Sequence, residues 1–264
     1  MAVVNQKGGV GKTTVTLGLA SAARARGHRV LVVDLDPQAA STWVLGVDPT
    51  TVTRTIGDVL AAPRGGAAKS AIVGTSWGHL VDVIPASAEL QQLEVLRGGV
   101  EQLLGATKPQ MRLRRALKGV TGSYAMVLID CPPSLGDLTT NGLAAADRTI
   151  VVVEPTALSL RGIAPVADLI ERTWANYNGE LELAGVVLNR VPARSMDAAA
   201  HRESLSRTVG SSALWEPVIP HRVVIAEAAA KRRPLHDMGA RASSVAVLFD
   251  QLYDRLWTLD QHSA

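Results

Sequence analysis

The sequence predicts a three-layer α/β fold, in which a mostly parallel central sheet carries helices on both faces. Short apolar runs alternate with amphipathic segments along the 264 residues, and this alternation is typical of parallel sheets. A glycine-rich loop joins the first apolar run to the first amphipathic segment, and aspartates follow two later runs. Open α/β sheets bind their ligands at such strand ends, so the pattern also predicts where the functional site lies.

The individual elements follow from the spacing of apolar residues. Runs rich in β-branched residues predict strands at 2–5, 29–34, 80–84, 125–130, 149–154, 184–189 and 215–219. Apolar positions at helical spacing predict helices at 12–25, 89–104, 111–118, 140–145, 160–177, 196–208 and 243–259. Gly27 is the expected left-handed residue after the first helix. No repeat or linker interrupts this pattern, so we expect one domain over residues 1–264.

Composition narrows the class of protein. With 47% hydrophobic residues the chain can bury a large core. It contains no uninterrupted apolar run of about 18 residues, so we expect no membrane span. The first predicted strand begins so early in the sequence that we expect no signal peptide. The single cysteine, Cys131, excludes an intramolecular disulfide and suits a reducing cytoplasm; we expect it to be a small buried residue.

Residues 5–14 read N-Q-K-G-G-V-G-K-T-T and predict a phosphate-binding loop. In the G-x-x-x-x-G-K-[ST] pattern, backbone N–H groups and one lysine hold phosphates. Glycines let the backbone approach an anion, and the following helix offers unpaired N–H groups. A glycine-rich turn that merely contains lysines is the alternative, but lysine, hydroxyl, glycines and helix all agree with phosphate binding. The predicted nucleotide contacts are Lys7, Gly8, Gly9, Val10, Gly11, Lys12, Thr13 and Thr14.

The loop departs from the usual pattern at its start. Gln6 stands where the first glycine would be, and Lys7 is a second lysine. Lys12 is placed to contact the β- and γ-phosphates, and Thr13 to ligate Mg²⁺. Two lysines exceed what one chain needs to bind a triphosphate. Lys7 can therefore point towards a nucleotide held by a second copy of the chain.

This loop resembles the deviant phosphate-binding loop of the ParA/MinD group of ATPases. Residues 34–38, D-L-D-P-Q, and 130–136, D-C-P-P-S-L-G, are similar to segments of ParA/Soj chromosome-partitioning proteins. Residues 218–228 resemble the V-I-P-R-N-V-R-L-S-E-A stretch of the same family. The resemblance covers nearly the whole chain and implies a P-loop NTPase fold, ATP and Mg²⁺ as cofactors, and slow basal ATP hydrolysis.

The resemblance also implies roles for single residues. Asp36 would orient the attacking water, while Asp34 and Asp130 would hold the Mg²⁺ shell together with Thr13. The catalytic set is Lys7, Lys12 and Asp36, with Lys7 reaching the γ-phosphate of the opposite subunit in an ATP-dependent homodimer. Asn189 and Pro220 are the expected neighbours of the adenine ring. Two alternatives stay open: a strand-ending asparagine is a common turn former, and one of the two aspartates after the second strand could be a helix N-cap.

Positive charge is concentrated in one segment of the chain. Between residues 190 and 241, nine basic residues face five acidic ones, whereas the whole chain carries +3. A local basic excess is typical of phosphate-backbone binding. The resemblance implies that the ATP dimer binds DNA without sequence preference, and Val224 stands where the family has an arginine. The candidate DNA contacts are Arg194, Arg222, Lys231, Arg232 and Arg233, each of which could also be a solvated surface residue.

Three functional classes compete. A partitioning ATPase would bind DNA as an ATP dimer and move a chromosome, plasmid or other cargo with a ParB-like partner, in the cytoplasm at the nucleoid. A MinD-like switch would need a membrane-binding C-terminal helix. The helix at 243–259 has apolar residues at helical spacing, namely Val245, Leu248, Leu252 and Leu256, but its aspartates outnumber Arg255, which favours core packing. A metabolic ATP-dependent ligase is the third class. We expect the first, without membrane binding.

Overall fold

The computed structural model describes residues 1–91, 108–193 and 195–261. Its strands are β1 (Ala2–Val4), β2 (Val30–Asp34), β3 (Val73–Thr75), β4 (Gly78–Ile84), β5 (Met126–Asp130), β6 (Arg148–Val153), β7 (Glu182–Leu188) and β8 (Leu214–Trp215). Its α-helices are α1 (Lys12–Ala25), α2 (Ala40–Val44), α3 (Ile56–Ala61), α4 (Arg112–Leu117), α5 (Asp137–Ala145), α6 (Ala157–Asn176), α7 (Met196–Val209), α8 (Val223–Ala230) and α9 (Ala240–Gln261).

The strands form one sheet of eight across the described residues, in the order β3-β4-β2-β5-β1-β6-β7-β8. Every neighbouring pair is parallel except β3–β4 at one edge. The predicted α/β class with a mostly parallel sheet is therefore confirmed. The earliest strand of the sequence, β1, lies between β5 and β6, so the loop that follows it emerges near the middle of the sheet.

Both faces of the sheet are covered because its central strands are apolar on both sides. All five residues of β2 are buried, as a strand between two helical layers requires. On one face α1 and α9 pack together, and a Cβ added at Gly18 would lie 2.1 Å from the Phe249 ring. Helices α4, α5 and α6 contribute to the apolar cluster on the other face. The predicted three layers are present.

The C-terminal helix packs into the core, as its acidic surface predicted. Val245, Phe249, Leu252 and Leu256 are buried in the cluster that contains α1. Leu248 is only partly buried, because Phe249 occupies the deep position beside Gly18. No helix among the described residues is both long and apolar enough to cross a membrane.

Several predicted boundaries were wrong for identifiable reasons. The strand predicted at 215–219 ends at Trp215, because Pro217 and Pro220 have no N–H to donate; a single bridge from Val191 to Pro220 continues the pairing. Helix α5 begins at Asp137 rather than 140, since an acidic first turn favours the helix start. The prediction missed β3, α2, α3 and α8. The helix predicted at 89–104 lies mostly in 92–107, outside the described residues. Gly27 has the predicted left-handed backbone, with φ of 77°.

Candidate nucleotide site

The glycine-rich loop is held open by its neighbours. Asn5 donates to the Val152 carbonyl at 2.6 Å, and its own side-chain oxygen accepts from the Lys7 N–H at 2.9 Å. Gly9 and Gly11 have φ of 81° and 90°, a conformation that glycine adopts without the steric cost a side chain would bring. Helix α1 starts directly after Gly11. The unpaired N–H groups of its first turn therefore border the loop, as phosphate binding requires.

Asn189 braces this loop from the end of β7. Its side-chain amide is buried and donates to the Val10 carbonyl at 2.8 Å. A Cβ at Gly11 would lie 2.0 Å from the Asn189 amide nitrogen, so only glycine permits this approach. Asn189 also lines, with Pro220, a cavity of about 250 Å³. Both predicted adenine neighbours thus border one cavity beside the loop, and Asn189 supports the loop as well.

We expect Gly11→Ala to destabilise the protein more than Gly9→Ala. Both substitutions put a methyl group at positive φ, which costs roughly 1–2 kcal/mol. A Cβ at Gly9 meets nothing within 4 Å, whereas one at Gly11 collides with Asn189. Overpacking adds a further ~1–3 kcal/mol. Urea unfolding without nucleotide measures the difference, and equal losses in the two variants would show that the contact with Asn189 is unimportant.

Asp34 and Asp130 end two adjacent strands and face the same space. They are register partners across the β2–β5 pair, and both are buried. Asp130 accepts hydrogen bonds from the hydroxyls of Thr13 and Ser41, both at 2.7 Å and both to Oδ2. Asp34 accepts from the N–H and the hydroxyl of Thr42, both at 2.8 Å and also to Oδ2. Two carboxylates and the Thr13 hydroxyl therefore converge beside the loop.

Burial raises the pKa of both carboxyl groups above the usual range. The nearby charge of Asp130 raises the pKa of Asp34 further. Hydrogen bonds from the hydroxyls of Ser41 and Thr13 lower the pKa of Asp130, but they do not cancel the effect of burial. Such a pair gains most from a cation that neutralises it. Within the described residues, no three His, Cys, Asp or Glu side chains cluster as a metal site. A Mg²⁺ ion here would therefore depend on Asp34, Asp130, Thr13 and phosphate oxygens, which is a donor set of the hard oxygen type that it prefers.

Lys12 places a positive charge inside the loop. Its side chain is buried, and its ammonium lies 3.4 Å from the Lys7 carbonyl. Desolvation lowers the pKa of Lys12 despite the nearby charge of Asp130. A buried ammonium with one long hydrogen bond favours an anion beside it. Lysine, hydroxyl, carboxylates and open glycine backbone together fit a magnesium nucleotide.

The second loop lysine, Lys7, forms an ion pair with an acidic residue outside the loop. The Lys7 ammonium lies 3.2 Å from Glu154, which also receives the Arg190 guanidinium at 3.4 Å. Lys7 is 40% exposed, so this pair contributes at most about 1 kcal/mol to stability. Sequence reasoning missed Glu154; the signal available was an acidic residue at the end of a predicted strand.

Asp36 lies in the turn after β2, beside the carboxylate pair. It is half-buried, its N–H donates to Asp34 at 3.1 Å, and its carboxylate accepts from the Gln38 N–H at 2.9 Å. Neither aspartate is the N-cap of α2, which is Ala39. Cys131 is buried as predicted, and burial raises the pKa of its thiol, which stays neutral.

The candidate DNA contacts surround α8. Arg222, Lys231, Arg232 and Arg233 are all exposed, while Arg194 lies outside the described residues. Val224 is 7% exposed and belongs to the core cluster, so its side chain is not on the surface; Val223 is exposed instead. Four basic side chains are therefore exposed at the two ends of α8, and position 224 faces inwards.

Fold and loop together define a P-loop nucleotide-binding protein. The AAA_31 family model, an AAA domain, matches residues 1–183. The chain is 37% identical to the chromosome partitioning protein ParA of Caulobacter vibrioides over 251 residues, covering 92% of this chain and 89% of ParA. It is 32% identical to the sporulation initiation inhibitor protein Soj of Bacillus subtilis over 247 residues, covering 93% of this chain and 94% of Soj. The chain belongs to the ParA/Soj family of partitioning ATPases.

Solved structures agree with this fold. Cobyrinic acid a,c-diamide synthase from Mycobacterium smegmatis, with bound ADP and magnesium, is 29% identical, with a TM-score of 0.79 over 100% of this chain and 95% of the other. An ATP complex of McdA from Cyanothece has a TM-score of 0.84 and covers 97% of this chain and 95% of McdA. Its sequence identity is 18%, so this likeness concerns the fold alone. The chain is thus a P-loop ATPase with structural relatives that hold adenine nucleotides.

Proposed function

We propose that this chain is an ATP-dependent dimerising switch that binds DNA without sequence preference in its ATP form. A ParB-like partner stimulates hydrolysis, so that a chromosome, plasmid or other cargo is moved or positioned at the nucleoid in the cytoplasm. Residues 1–264 act as one ATPase domain. The observation that carries the proposal is Lys7: the loop has a second lysine, whose partly exposed ammonium pairs with Glu154 while Lys12 is buried.

The phosphate site follows from the converging side chains. Lys12 and the N–H groups of the first turn of α1 bind the β- and γ-phosphates, and Gly8 to Thr14 shape the loop around them. Thr13, Asp34 and Asp130 hold Mg²⁺, which neutralises phosphate charge when bound. Asp36 orients the attacking water from the turn after β2. Asn189 and Pro220 flank the adenine in the cavity that they share.

Dimerisation depends on the exposed position of Lys7. The ion pair with Glu154 is weak because water screens it, so Lys7 can exchange this partner for a phosphate of an opposing copy. A triphosphate offers the γ-phosphate that ADP lacks. The exchange is therefore favourable in the ATP state and unfavourable in the ADP state, which makes the dimer a nucleotide-dependent species.

DNA binding should depend on the basic segment after α8. We expect Lys231→Glu combined with Arg232→Glu to lower the affinity for a sequence-neutral duplex by at least about tenfold, with ATP-dependent dimerisation unchanged, because neither residue lines the cavity beside the loop. Each lost phosphate contact should also reduce the slope of log affinity against log salt by about 1. Fluorescence anisotropy with a non-hydrolysable ATP analogue measures both quantities.

A matched control reverses two exposed lysines elsewhere, Lys69→Glu with Lys118→Glu. Equal losses in the two double variants would mean that only net charge matters, and would reject the proposed surface. DNA binding that is the same with ADP as with the ATP analogue would reject the switch itself.

A metabolic ATP-dependent reaction is the second candidate, favoured by the likeness to the Mycobacterium smegmatis synthase. The two candidates differ in basal turnover. A timing switch must keep its ATP for long enough to act, so slow hydrolysis without a partner supports partitioning. Rapid basal hydrolysis with no DNA binding in any nucleotide state would support the metabolic reaction.

A further inference from the structure

Three consecutive residues of the short helix α2 make three different tertiary contacts. The Ser41 hydroxyl donates to Asp130 at 2.7 Å, and Thr42 donates twice to Asp34 at 2.8 Å. The Trp43 ring lies 4.4 Å from the Arg232 guanidinium. One helix therefore touches both carboxylates of the candidate metal site and, one residue later, the basic segment 231–233.

Ser41 and Thr42 help to fix the orientation of the two carboxylates, together with the Thr13 hydroxyl on Asp130 and the Asp36 N–H on Asp34. Both residues are fully buried, so their hydroxyls have no water to exchange with. Each uses the Oδ2 atom of its aspartate, and Thr42 is itself fixed by the Ala86 N–H, which donates to its hydroxyl at 3.0 Å. A carboxylate has a limited number of lone pairs. A cation that binds Asp34 and Asp130 must either use the remaining lone pairs or displace these hydroxyls.

Arg232 is held at both ends. Its carbonyl accepts from the Trp77 indole N–H at 3.2 Å, and its guanidinium stacks on Trp43, which is 46% exposed. Its backbone has φ of 53°, a left-handed conformation that is costly for arginine and persists only when neighbours fix it. A cation–π contact of this kind contributes about 0.5–1 kcal/mol at an exposed site. The position of Arg232 therefore depends on the position of Trp43.

We propose that Ser41 and Thr42 are positioning residues for the magnesium-binding carboxylates, and that Trp43 carries their movement to Arg232. Successive helical residues rise by about 1.5 Å and move as one rigid unit. A change in the hydrogen bonds of Thr42 therefore shifts Trp43 as well. The inference rests on the proposed function in two places: the binding of Mg²⁺ by Asp34 and Asp130, and the role of the basic segment in DNA binding.

The first test follows tryptophan fluorescence when MgCl₂ is added to the ADP-bound protein. We expect a change in wild type that Trp43→Phe removes. Thr42→Val should need at least tenfold more Mg²⁺ for the same change, while its affinity for ADP without Mg²⁺ stays as in wild type. Thr42→Ser keeps the hydroxyl and should restore the wild-type Mg²⁺ requirement; thermal unfolding verifies that each variant is folded.

Two outcomes would overturn the positioning role: an unchanged Mg²⁺ requirement in Thr42→Val, or failure of Thr42→Ser to restore it. A full fluorescence response in Trp43→Phe would overturn the movement of Trp43. These readouts need no DNA, so they are independent of the proposed partitioning function.

The second test concerns the link to Arg232. We expect Trp43→Leu and Arg232→Leu each to reduce the ratio of DNA affinities between the ATP-analogue and ADP states by about threefold or more. The double variant should lose no more of this ratio than either single variant, because both remove the same contact. Losses that multiply in the double variant would refute the link while leaving the result for Thr42 intact.

Discussion

Lys12→Ala should lower the affinity for ADP and ATP by at least about a hundredfold. The Lys12 ammonium is buried inside the loop, where its hydrogen bonds to phosphate oxygens are charge-assisted and contribute about 1.5–3 kcal/mol each. Two such bonds correspond to roughly two orders of magnitude or more in the dissociation constant. Calorimetric titration with each nucleotide measures the loss.

Stability separates this effect from simple unfolding. Alanine removes an ammonium that is costly to bury, so the thermal midpoint of the nucleotide-free variant should not fall. Lys7→Ala is the matched control, because it removes the other lysine of the same loop. It should bind ADP as wild type does and fail to dimerise with ATP. Equal losses of ADP affinity in the two variants would contradict the different roles of these lysines.

Asp36→Ala should bind ATP, form a persistent dimer and hydrolyse at least about a hundredfold more slowly. Positioned carboxylates that activate water contribute about 10²–10⁴ to such reactions. Asp36 makes no contact that holds the loop; its carboxylate receives the Gln38 N–H, and losing that bond costs about 0.5–1.5 kcal/mol. Phosphate release measures turnover, and light scattering with ATP and Mg²⁺ measures the dimer.

Asp48→Ala is the control for the turn itself. Asp48 accepts the Thr50 N–H at 2.9 Å in the same local geometry, but it is exposed. This variant should hydrolyse ATP at the wild-type rate. A monomeric Asp36→Ala protein in ATP and Mg²⁺ would contradict the nucleotide-dependent dimer.

Much of the fold could be predicted because its main signals are local. Strands β2, β5 and β6 are apolar runs buried from both sides, and each run is visible without knowledge of its neighbours. Lys12, Thr13, Asp34 and Asp130 could also be placed together, since parallel strands bring their carboxyl ends to one edge of the sheet. Local pattern and one topological rule were enough for this part of the site.

Other features of the fold and the site could not be predicted, because they depend on contacts between residues that are far apart in the sequence. Ser41 lies 89 residues from Asp130, and Lys7 lies 147 residues from Glu154. The nearby sequence marks Lys7 as a second loop lysine and Glu154 as an acid at a strand end, but it does not show which distant side chain either of them, or Ser41, contacts. Strand β3 is three residues long and includes a glycine, so it has too little β-propensity to be recognised.

Position 224 shows a different limit. Comparison with the family stretch predicts a missing surface arginine there, but Val224 is buried in the core. A single sequence does not reveal which of two adjacent valines faces the solvent at the start of α8. Helix α8 is not predicted either, because its eight residues, V-V-I-A-E-A-A-A, are nearly all apolar and show no amphipathic period.

The central place of β1 has a consequence for synthesis. Ala2 is paired with Ile129 and Thr149, so the strand that carries the loop has no partners until both have emerged from the ribosome. The brace from Asn189 comes later still: Asn189 lies 179 residues after Val10, which corresponds to roughly 10–40 s of further synthesis at 5–20 residues per second. Closing so long a segment is entropically costly and slow. The nascent chain therefore acquires its nucleotide loop late, after most of the sheet has been synthesised.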